Sequence, residues 1–542
     1  MSAFAKQPCD EGVVLGAPDV SPCPSRTETW ILAATILGSS MAFIDGSVVN
    51  VALPALQADL HASVADVQWV IEAYSLFLSC LILVGGSLGD KFGRRRIYAV
   101  GVSLFTASSV VCGLAQSTNM LIVARAVQGI GGALLVPGSL AIISASFSEE
   151  QRGRAIGTWS GFSAITSAAG PLVGGFLIQS ISWRAIFFVN VPFAAAVLAI
   201  LFRHVPESRN EEAARLDWLG AVLCTAGLGG IVFGLIESST LGMGDPVVVA
   251  AIVAGVVMLL GFVLTESRVQ TPMMPLSLFR SRTFSGANLL TLLLYGALGG
   301  ALFFFPFDFI RVQGYSTTAA GAAFLPFILI MFLGSRWSGG LVARVGAKLP
   351  LIVGPGITAV GLGLIALPDI GGGYFATFFP GILVMGVGMT IAVAPLTTVV
   401  MSAVDQQHAG IASGINNAAS RAAGLVAIAA LSLVAVQSFS SNLDSRLSSL
   451  RIPARLRDQI YGQYTSLTNI QIPAGVSGPV RAALRRAIAE SFVAAFRLVV
   501  LIAVGLALLG ALTAALMIEG KRPTEAVPRV PVSAEEQPAA TA

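Results

Sequence analysis

Charge is what this chain has least of. Only 11% of its 542 residues are Asp, Glu, Lys or Arg, against 55% hydrophobic, and the mean hydropathy is +0.82. A soluble domain carries about 25% charged residues. With less than half of that solvating charge, a soluble globular fold is excluded. Histidine is nearly absent: His61, His204 and His408 fall in loops or near the ends of apolar runs, so no histidine proton relay is implied. The five cysteines (Cys9, Cys23, Cys80, Cys112 and Cys224) have no metal-ligand spacing, and no metal or cofactor is expected. No Walker loop is present, which argues against ATP as the energy source. No basic cluster is interleaved with aromatics, so nucleic acid is not a partner. The stretch from Met1 to Thr29 has neither the apolar core of a cleavable signal nor a twin arginine.

What the chain does have is long apolar runs. A helix needs about 20 mostly apolar residues to cross the hydrocarbon core. Fourteen such runs are predicted: Trp30–Leu53, Val67–Gly89, Ile97–Ala115, Met120–Ile143, Ala155–Ile178, Ala185–Leu201, Trp218–Ile236, Val247–Leu264, Phe284–Phe305, Ala319–Leu341, Leu349–Leu367, Phe375–Val399, Ala409–Val436 and Phe492–Ile518. The fold class is therefore all-α integral membrane. An even count puts both termini on one side. Loops on that side carry fourteen Lys and Arg, among them Lys91, Arg94, Arg95, Arg96, Arg152 and Arg154, whereas the short loops opposite carry only Arg184 and Arg311. Cytoplasmic loops retain positive charge, so both termini are expected in the cytoplasm. The loop 437–491 is the exception, with seven arginines on the outer side. Long loops translocate regardless of charge, and Leu450, Ile452, Leu456 and Ile460 suggest short amphipathic helices lying on the membrane there. The Pro- and Ala-rich end, 519–542, reads as a disordered tail.

An internal echo accompanies the runs. Gly86-x-Leu88-x-Asp90-x-x-Gly93-x-Arg95 returns, weakened, as Gly339-x-Leu341-x-Ala343-x-x-Gly346-x-Lys348. Two pseudo-symmetric halves around a midplane site are what transporters commonly show. The offset fits a six-helix unit repeated with two helices inserted. The expected division is a tail 1–29, a six-helix bundle 30–203, two linker helices within 204–283, a second six-helix bundle 284–518 that includes the loop 437–491, and a tail 519–542.

The first copy, GGSLGDKFGRRR from Gly85 to Arg96, has glycines for close backbone approach at a tight turn. Its Asp90 is able to accept from helix-terminal N–H groups or to pair with Arg94 and Arg95, a latch that differs between conformations. The alternative is a plain positively charged loop, but topology charge alone does not call for glycines and an acid at fixed spacing. In the fifth run, Gly157, Gly161, Gly170 and Gly174 recur at helical spacing. They leave one face nearly bare backbone, as closely packed helices in lipid require, and Pro171 permits a bend.

Ionisable residues within apolar runs mark functional sites by default, because burying them in lipid is costly. Asp45 lies about 12 Å below the outer end of the first run, Arg125 about 8 Å into the fourth and Glu72 about 6 Å into the second. All three fit one depth. A carboxylate that exchanges an arginine partner for a proton is what proton coupling needs, whereas a static Asp45–Arg125 pair would only aid assembly and Glu72 would otherwise sit at the interface. Gln128, Asn416, Asn417 and Arg421 are candidates for a substrate path, with Arg421 alternatively bonding a neighbour's carbonyls. Arg336 and Arg497 are expected to snorkel, and Asp308 to pair with Arg311. The aromatic ninth run (Phe303, Phe304, Phe305, Phe307 and Phe309) either offers apolar contacts to a substrate or faces lipid.

These segments resemble the major facilitator superfamily. Gly85 to Arg96 is similar to its hallmark loop after the second helix, LIVARAVQGIGGA (Leu121 to Ala133) to its fourth-helix motif, and SAAGPLVGG (Ser167 to Gly175) to the fifth-helix Gly-Pro motif associated with antiporters, which includes Gly170, Pro171, Gly174 and Gly175. FIDGSVVNVALP (Phe43 to Pro54) and SWRAIFFVNVP (Ser182 to Pro192) look like the fourteen-helix drug:proton antiporter branch. The resemblance implies two six-helix bundles plus two linker helices and alternating access. It also implies export of drug-like or amphiphilic molecules in exchange for protons at the inner membrane. Protons, a small-molecule substrate and membrane lipid are the expected partners of a chain working singly. Ala343, in place of the acid, leaves the second-half latch in doubt. A facilitator of a polar metabolite would share the fold. A receptor would need a signalling domain, and a membrane enzyme would need a clustered catalytic set that the sequence lacks.

Overall fold

The structure, a computed structural model, describes residues 25–147, 149–209, 217–269, 272–404, 409–450, 452–473 and 475–519. The tail 1–24, with Cys9 and Cys23, the tail 520–542 and His408 lie outside the described residues. Among the described residues fourteen helical spans run back and forth, and there is no strand. They are Ser25–Asp59, Val64–Phe92, Arg94–Gly113, Thr118–Ser146, Glu149–Ser180, Ala185–His204, Trp218–Leu241, Pro246–Glu266, Arg282–Phe307, Thr317–Val345, Lys348–Ile365, Tyr374–Ser402, Ala409–Ser449 and Gly478–Met517. Thirteen of them are apolar enough along their described length to cross a membrane. The fifth is rich in Gly, Ser and Thr, and owes its place to packing more than to hydropathy.

Local chemistry starts the spans where they start. Ser63 and Asp66 form a reciprocal capping box ahead of span two, satisfying two otherwise orphaned donors. Ser117 caps span four, and Asp245 followed by Pro246 opens span eight. Two spans are interrupted: the sixth breaks at Val189, and the tenth consists of Thr317–Ala322, Leu325–Gly339 and Leu341–Val345. Span five passes unbroken through Pro171.

Small residues set the helix contacts, as packing in lipid requires. A Cβ on Gly255 of span eight would lie 2.7 Å from the carbonyl oxygen of Gly227 in span seven, and one on Gly361 of span eleven 2.4 Å from the amide of Met385 in span twelve. Span eight is the most peripheral helix: Val253, Val257 and Leu260 are exposed, and only Val248, Gly255 and Glu266 are buried. Phe303, Phe304, Phe305, Phe307 and Phe309 are all buried. They stack edge-on against one another and against Phe324, Phe378 and Phe496. Span nine thus builds the core of the second half, and the lipid-facing reading of its aromatics is corrected.

Loop 437–491 also differs from expectation. Spans thirteen and fourteen are helices of 41 and 40 residues, each about 60 Å long against a hydrocarbon core of about 30 Å. Both extend beyond the membrane on the side away from the chain ends. There Leu443 and Leu447 of one helix and Leu484 and Ile488 of the other share a buried seam, and Arg446 pairs with Glu490. Leu450, Ile452 and Leu456 pack against this core, and Ile460 is buried in it, so the segment is a folded cap and not a set of surface-lying helices. Arg497 does not simply snorkel. It donates to Asp369 at 2.8 Å and to the carbonyl of Ala366 at the end of span eleven, also at 2.8 Å. The side chain of Arg336 lies outside the described residues.

Candidate translocation and coupling site

Asp45 and Arg125 meet in the middle of the first half. Asp45 is 1% exposed and so is Arg125, with Arg125 Nη1 2.5 Å from Asp45 Oδ2. Gln128, one turn from Arg125, donates its amide to Asp45 Oδ1 at 2.9 Å and accepts from Arg125 Nη1 at 2.7 Å. Arg125 Nε donates to the carbonyl of Val70 at 3.0 Å. Its guanidinium carbon sits 4.2 Å from the centre of the Tyr74 ring, a cation–π contact strengthened by the burial of both groups. The fourth-span glycines make this reach possible. A Cβ on Gly129 would stand 2.4 Å from the Tyr74 carbonyl oxygen, and one on Gly131 2.6 Å from the Phe105 amide. Span four is thereby pressed onto spans two and three.

Tyr74 was not singled out by sequence reasoning, because an aromatic in an apolar run gives no signal of its own. Its hydroxyl is buried without a hydrogen-bond partner among the described residues. The charge of Arg421 from span thirteen also acts on Tyr74, and Arg421 has no hydrogen bond or ion pair among the described residues. The five groups Asp45, Gln128, Arg125, Tyr74 and Arg421 therefore form one chain of contacts and fields leading from span one to span thirteen. Asn416 is engaged elsewhere: its amide donates to Thr291 Oγ1 at 2.7 Å and Asn288 Oδ1 at 3.2 Å in span nine. Asn417 is exposed.

Glu72 shares the depth of this cluster but not its face. Val70 and Tyr74 flank it in sequence and both point to span four. Two residues along a helix is a rotation of about 200°, so Glu72 points the other way, on the stripe with Trp69, Leu76 and Cys80 that packs against spans seven and thirteen. It is fully buried, and neither carboxylate oxygen has a hydrogen-bond partner among the described residues. Asp308 is buried as well, but the expected pair with Arg311 does not form. Asp308 accepts from Gln313 at 3.4 Å, while Arg311 reaches across to donate to the carbonyl of Pro54 in span one at 2.7 Å. The π-helical turn Asp308–Val312 that ends span nine rotates the two side chains out of their i,i+3 register.

At the turn between spans two and three, Gly93 has φ +107°, a conformation that favours glycine. Asp90 pairs with Arg94 at 2.8 Å, one turn on, and not with Arg95. Arg95 Nη1 donates to the carbonyl of Val205 at 3.0 Å. The acid missed by the sequence reading is Glu207, just after span six. It accepts from the backbone amides of Arg95 and Arg96 at 3.0 and 3.2 Å, capping the start of span three, where an anion is favoured. A Cβ on Gly93 would lie 2.7 Å from that carboxylate. Close backbone packing falls at Gly85, where a Cβ would be 2.0 Å from the carbonyl oxygen of Ala133, and not at Gly86. In the second copy Gly346 also has positive φ, at +81°, so the turn repeats although Ala343 carries no charge.

Span five is held from two sides. Cβ atoms at Gly170 and Gly174 would collide with Ser47 and Val48 of span one, and one at Gly175 would be 2.5 Å from the Thr317 carbonyl oxygen of span ten. The carbonyl of Pro171 faces Gly321 of span ten. The surroundings of Gly157 and Gly161 lie outside the described residues. The two halves thus touch at Gly175–Thr317, Pro171–Gly321 and Pro54–Arg311, and Gln57 donates to the carbonyl of Ser466 in the cap at 3.4 Å. Arg311 and the cap lie at the side away from the chain ends, and the Thr317 end of span ten lies there too.

Comparison with known proteins gives the geometry a family. Residues 35–428 match the pattern described as Major Facilitator Superfamily. The chain is 36% identical over 424 residues to the "Multidrug resistance protein Stp" of Mycobacterium tuberculosis (strain CDC 1551 / Oshkosh), covering 78% of this chain and 79% of that protein. It is 36% identical over 413 residues to the "Tetracenomycin C resistance and export protein" of Streptomyces glaucescens, covering 76% of each. In fold it resembles a bacterial homologue of the human lysosomal transporter Spinster, solved in an inward-facing and unoccupied conformation. The TM-score there is 0.61 at 16% identity, with 91% of this chain and 98% of that one covered.

Proposed function

The chain belongs to the Major Facilitator Superfamily, and from that premise we propose that it exports drug-like or amphiphilic molecules across the cytoplasmic membrane in exchange for protons. The export reading is supported by the relatives, whose names are those of resistance and export proteins. The coupling reading rests on one observation: a carboxylate and a guanidinium buried together at mid-depth, each satisfied by the other and by Gln128. A nearby cation favours the ionised carboxylate, and loss of water favours the protonated one. Movement of span four against span one would separate Arg125 from Asp45 and trade the guanidinium for a proton. Return of Arg125 would expel it. Glu72, buried at the seam with spans seven and thirteen without a partner among the described residues, serves as a second proton carrier.

Alternating access would move the bundle 30–203 against the bundle 284–518, with the linker helices in 204–283 riding on the seam. Span five, bare at Gly170 and Gly174 toward span one and at Gly175 toward span ten, is the surface on which they slide. Asp90–Arg94 and Glu207 at the span-three amides form the latch. Arg421 and Tyr74 lie where the two halves face each other and are proposed to line the substrate path, and Asn417 extends it. Membrane lipid, protons and substrate are the partners, and one chain suffices.

Inverted membrane vesicles test this reading. With an acid interior, cationic, neutral or anionic amphiphiles should accumulate, and accumulation should stop when the pH gradient is collapsed. Transport that equilibrates the substrate and ignores the gradient would replace the antiporter with a facilitator.

A further inference from the structure

The cap formed by spans thirteen and fourteen and the segment between them borders a half-open cavity of about 1060 Å³ at the side away from the chain ends. Ligand sites commonly measure about 300–1,000 Å³, so this one is large enough for an amphiphile. Among the described residues that line it are six arginines, Arg311, Arg446, Arg481, Arg485, Arg486 and Arg497, and only two acids, Asp369 and Glu490.

Arginine remains charged under all conditions a protein meets, so the wall carries an excess of four positive charges. The acids are already committed. Glu490 is shared between Arg446 and Arg486, and Asp369 is bound to Arg497. Arg311 donates to a neutral carbonyl, that of Pro54. Arg485 has no hydrogen bond or ion pair among the described residues, and it stands one helical turn from Arg481 on the same face.

Crowding guanidinium groups in a partly enclosed space is unfavourable unless an anion joins them, and their planar fork matches carboxylate and phosphate oxygens. Topology does not call for these charges. The short loops on this side carry only Arg184 and Arg311, so the cluster departs from the pattern of the rest of the face. Apart from Thr468 the remaining wall is apolar, with Ile370, Ile470 and Ile472 among its residues, which suits a carbon skeleton behind the charged group.

We propose that this arginine-lined cavity is a binding site for an anionic phosphate or carboxylate group, carried by a lipid headgroup or present as a free anion. The bound anion would hold the cap onto spans nine and eleven, because Arg311, Asp369 and Ile370 come from their ends while Arg446, Arg481, Arg485 and Arg486 belong to the cap. The site is separate from Asp45 and Arg125, and binding to it can be measured without any transport.

The full chain, purified in detergent, would be titrated with phosphatidylglycerol, with phosphatidylcholine and with inorganic phosphate. Retained lipid would be counted by native mass spectrometry, and phosphate would be followed by the thermal unfolding midpoint. Arg481→Gln with Arg485→Gln is the test variant. Arg457→Gln, which removes a cap arginine outside the cavity lining, is the control. Phosphatidylglycerol retained in preference to phosphatidylcholine, with affinity lowered on the order of tenfold in the test variant and unchanged in the control, would support the site with a lipid as its source. A midpoint raised by phosphate alone, and lost in the same variant, would support it with a free anion as its source. Equal retention of the two lipids together with no response to phosphate would overturn the proposal. So would an anion response that the double variant leaves intact.

Discussion

Arg125 shows how one buried side chain joins several elements. It contacts Asp45 of span one, Val70 and Tyr74 of span two, and Gln128 of its own helix. Removing one partner of a buried ion pair costs roughly 3–5 kcal/mol, since the other is left uncompensated. Arg125→Ala is therefore expected to abolish transport and lower the thermal midpoint. Arg125→Lys should recover the stability in part but little of the transport, because an ammonium cannot serve Asp45, Gln128 and Val70 with one planar fork. Thermal unfolding and vesicle transport on both variants check this, and a fully active Arg125→Ala would remove Arg125 from the mechanism. The pair itself was legible in the sequence, because a charge in an apolar run is rare and depth can be counted from the run's end. The face of Glu72 was not legible. Depth counting gives height and no azimuth, and the azimuth follows only from the contacts of Val70 and Tyr74 with Arg125 of span four.

Among the elements, the turn between spans two and three and the bare face of span five carry the expected motion. The first was only partly readable. Asp90, Gly93 and Arg94 stand out as a spaced motif, whereas Glu207 is one acid in an irregular segment 117 residues beyond Asp90, and only folding brings it to the start of span three. If both acids hold one conformation, Asp90→Asn and Glu207→Gln should each slow turnover with substrate binding little changed, and Glu207→Gln by more, because a helix cap is worth about 0.5–2 kcal/mol and a partly exposed i,i+4 pair only about 0.3–0.5 kcal/mol. Binding lost in parallel with turnover would instead make the turn a structural prop. Span five allows a sharper expectation. Gly174→Val places a branched side chain where even a Cβ meets Val48. Overpacking of this kind costs about 1–3 kcal/mol, and transport should fail while Val173→Ala, on the exposed side, remains active. Equal activity of the two variants would contradict a sliding surface at span one. The interruptions in spans six and ten left no trace in the apolar pattern, because hydropathy records burial in lipid and not hydrogen-bond continuity.

For the molecule as a whole, the number of spans and their order could be read from composition, but the reach of the last two could not. The extensions of spans thirteen and fourteen are Ser- and Arg-rich, so they look like loop until Leu443, Leu447, Leu484 and Ile488 are seen to zip together. Orientation is testable by itself. In a background without the native cysteines, Thr240→Cys should react with an impermeant thiol reagent added outside intact cells, and Ser267→Cys only after permeabilisation. Both positions are exposed, at opposite ends of the linker helices. The reverse pattern would place the chain ends outside.

The central claim is that Asp45 carries the proton, and the most direct measurement is substrate-induced proton release from the purified protein in liposomes, wild type against Asp45→Asn. Asparagine keeps the side chain's volume and its contacts with Gln128 within reach, but it cannot gain or lose a charge. Wild type should release protons when substrate is added and export it against its gradient. The variant should bind substrate, release fewer protons and fail to concentrate it. If Asp45→Asn releases protons and drives uphill export as wild type does, coupling does not run through Asp45 and Arg125.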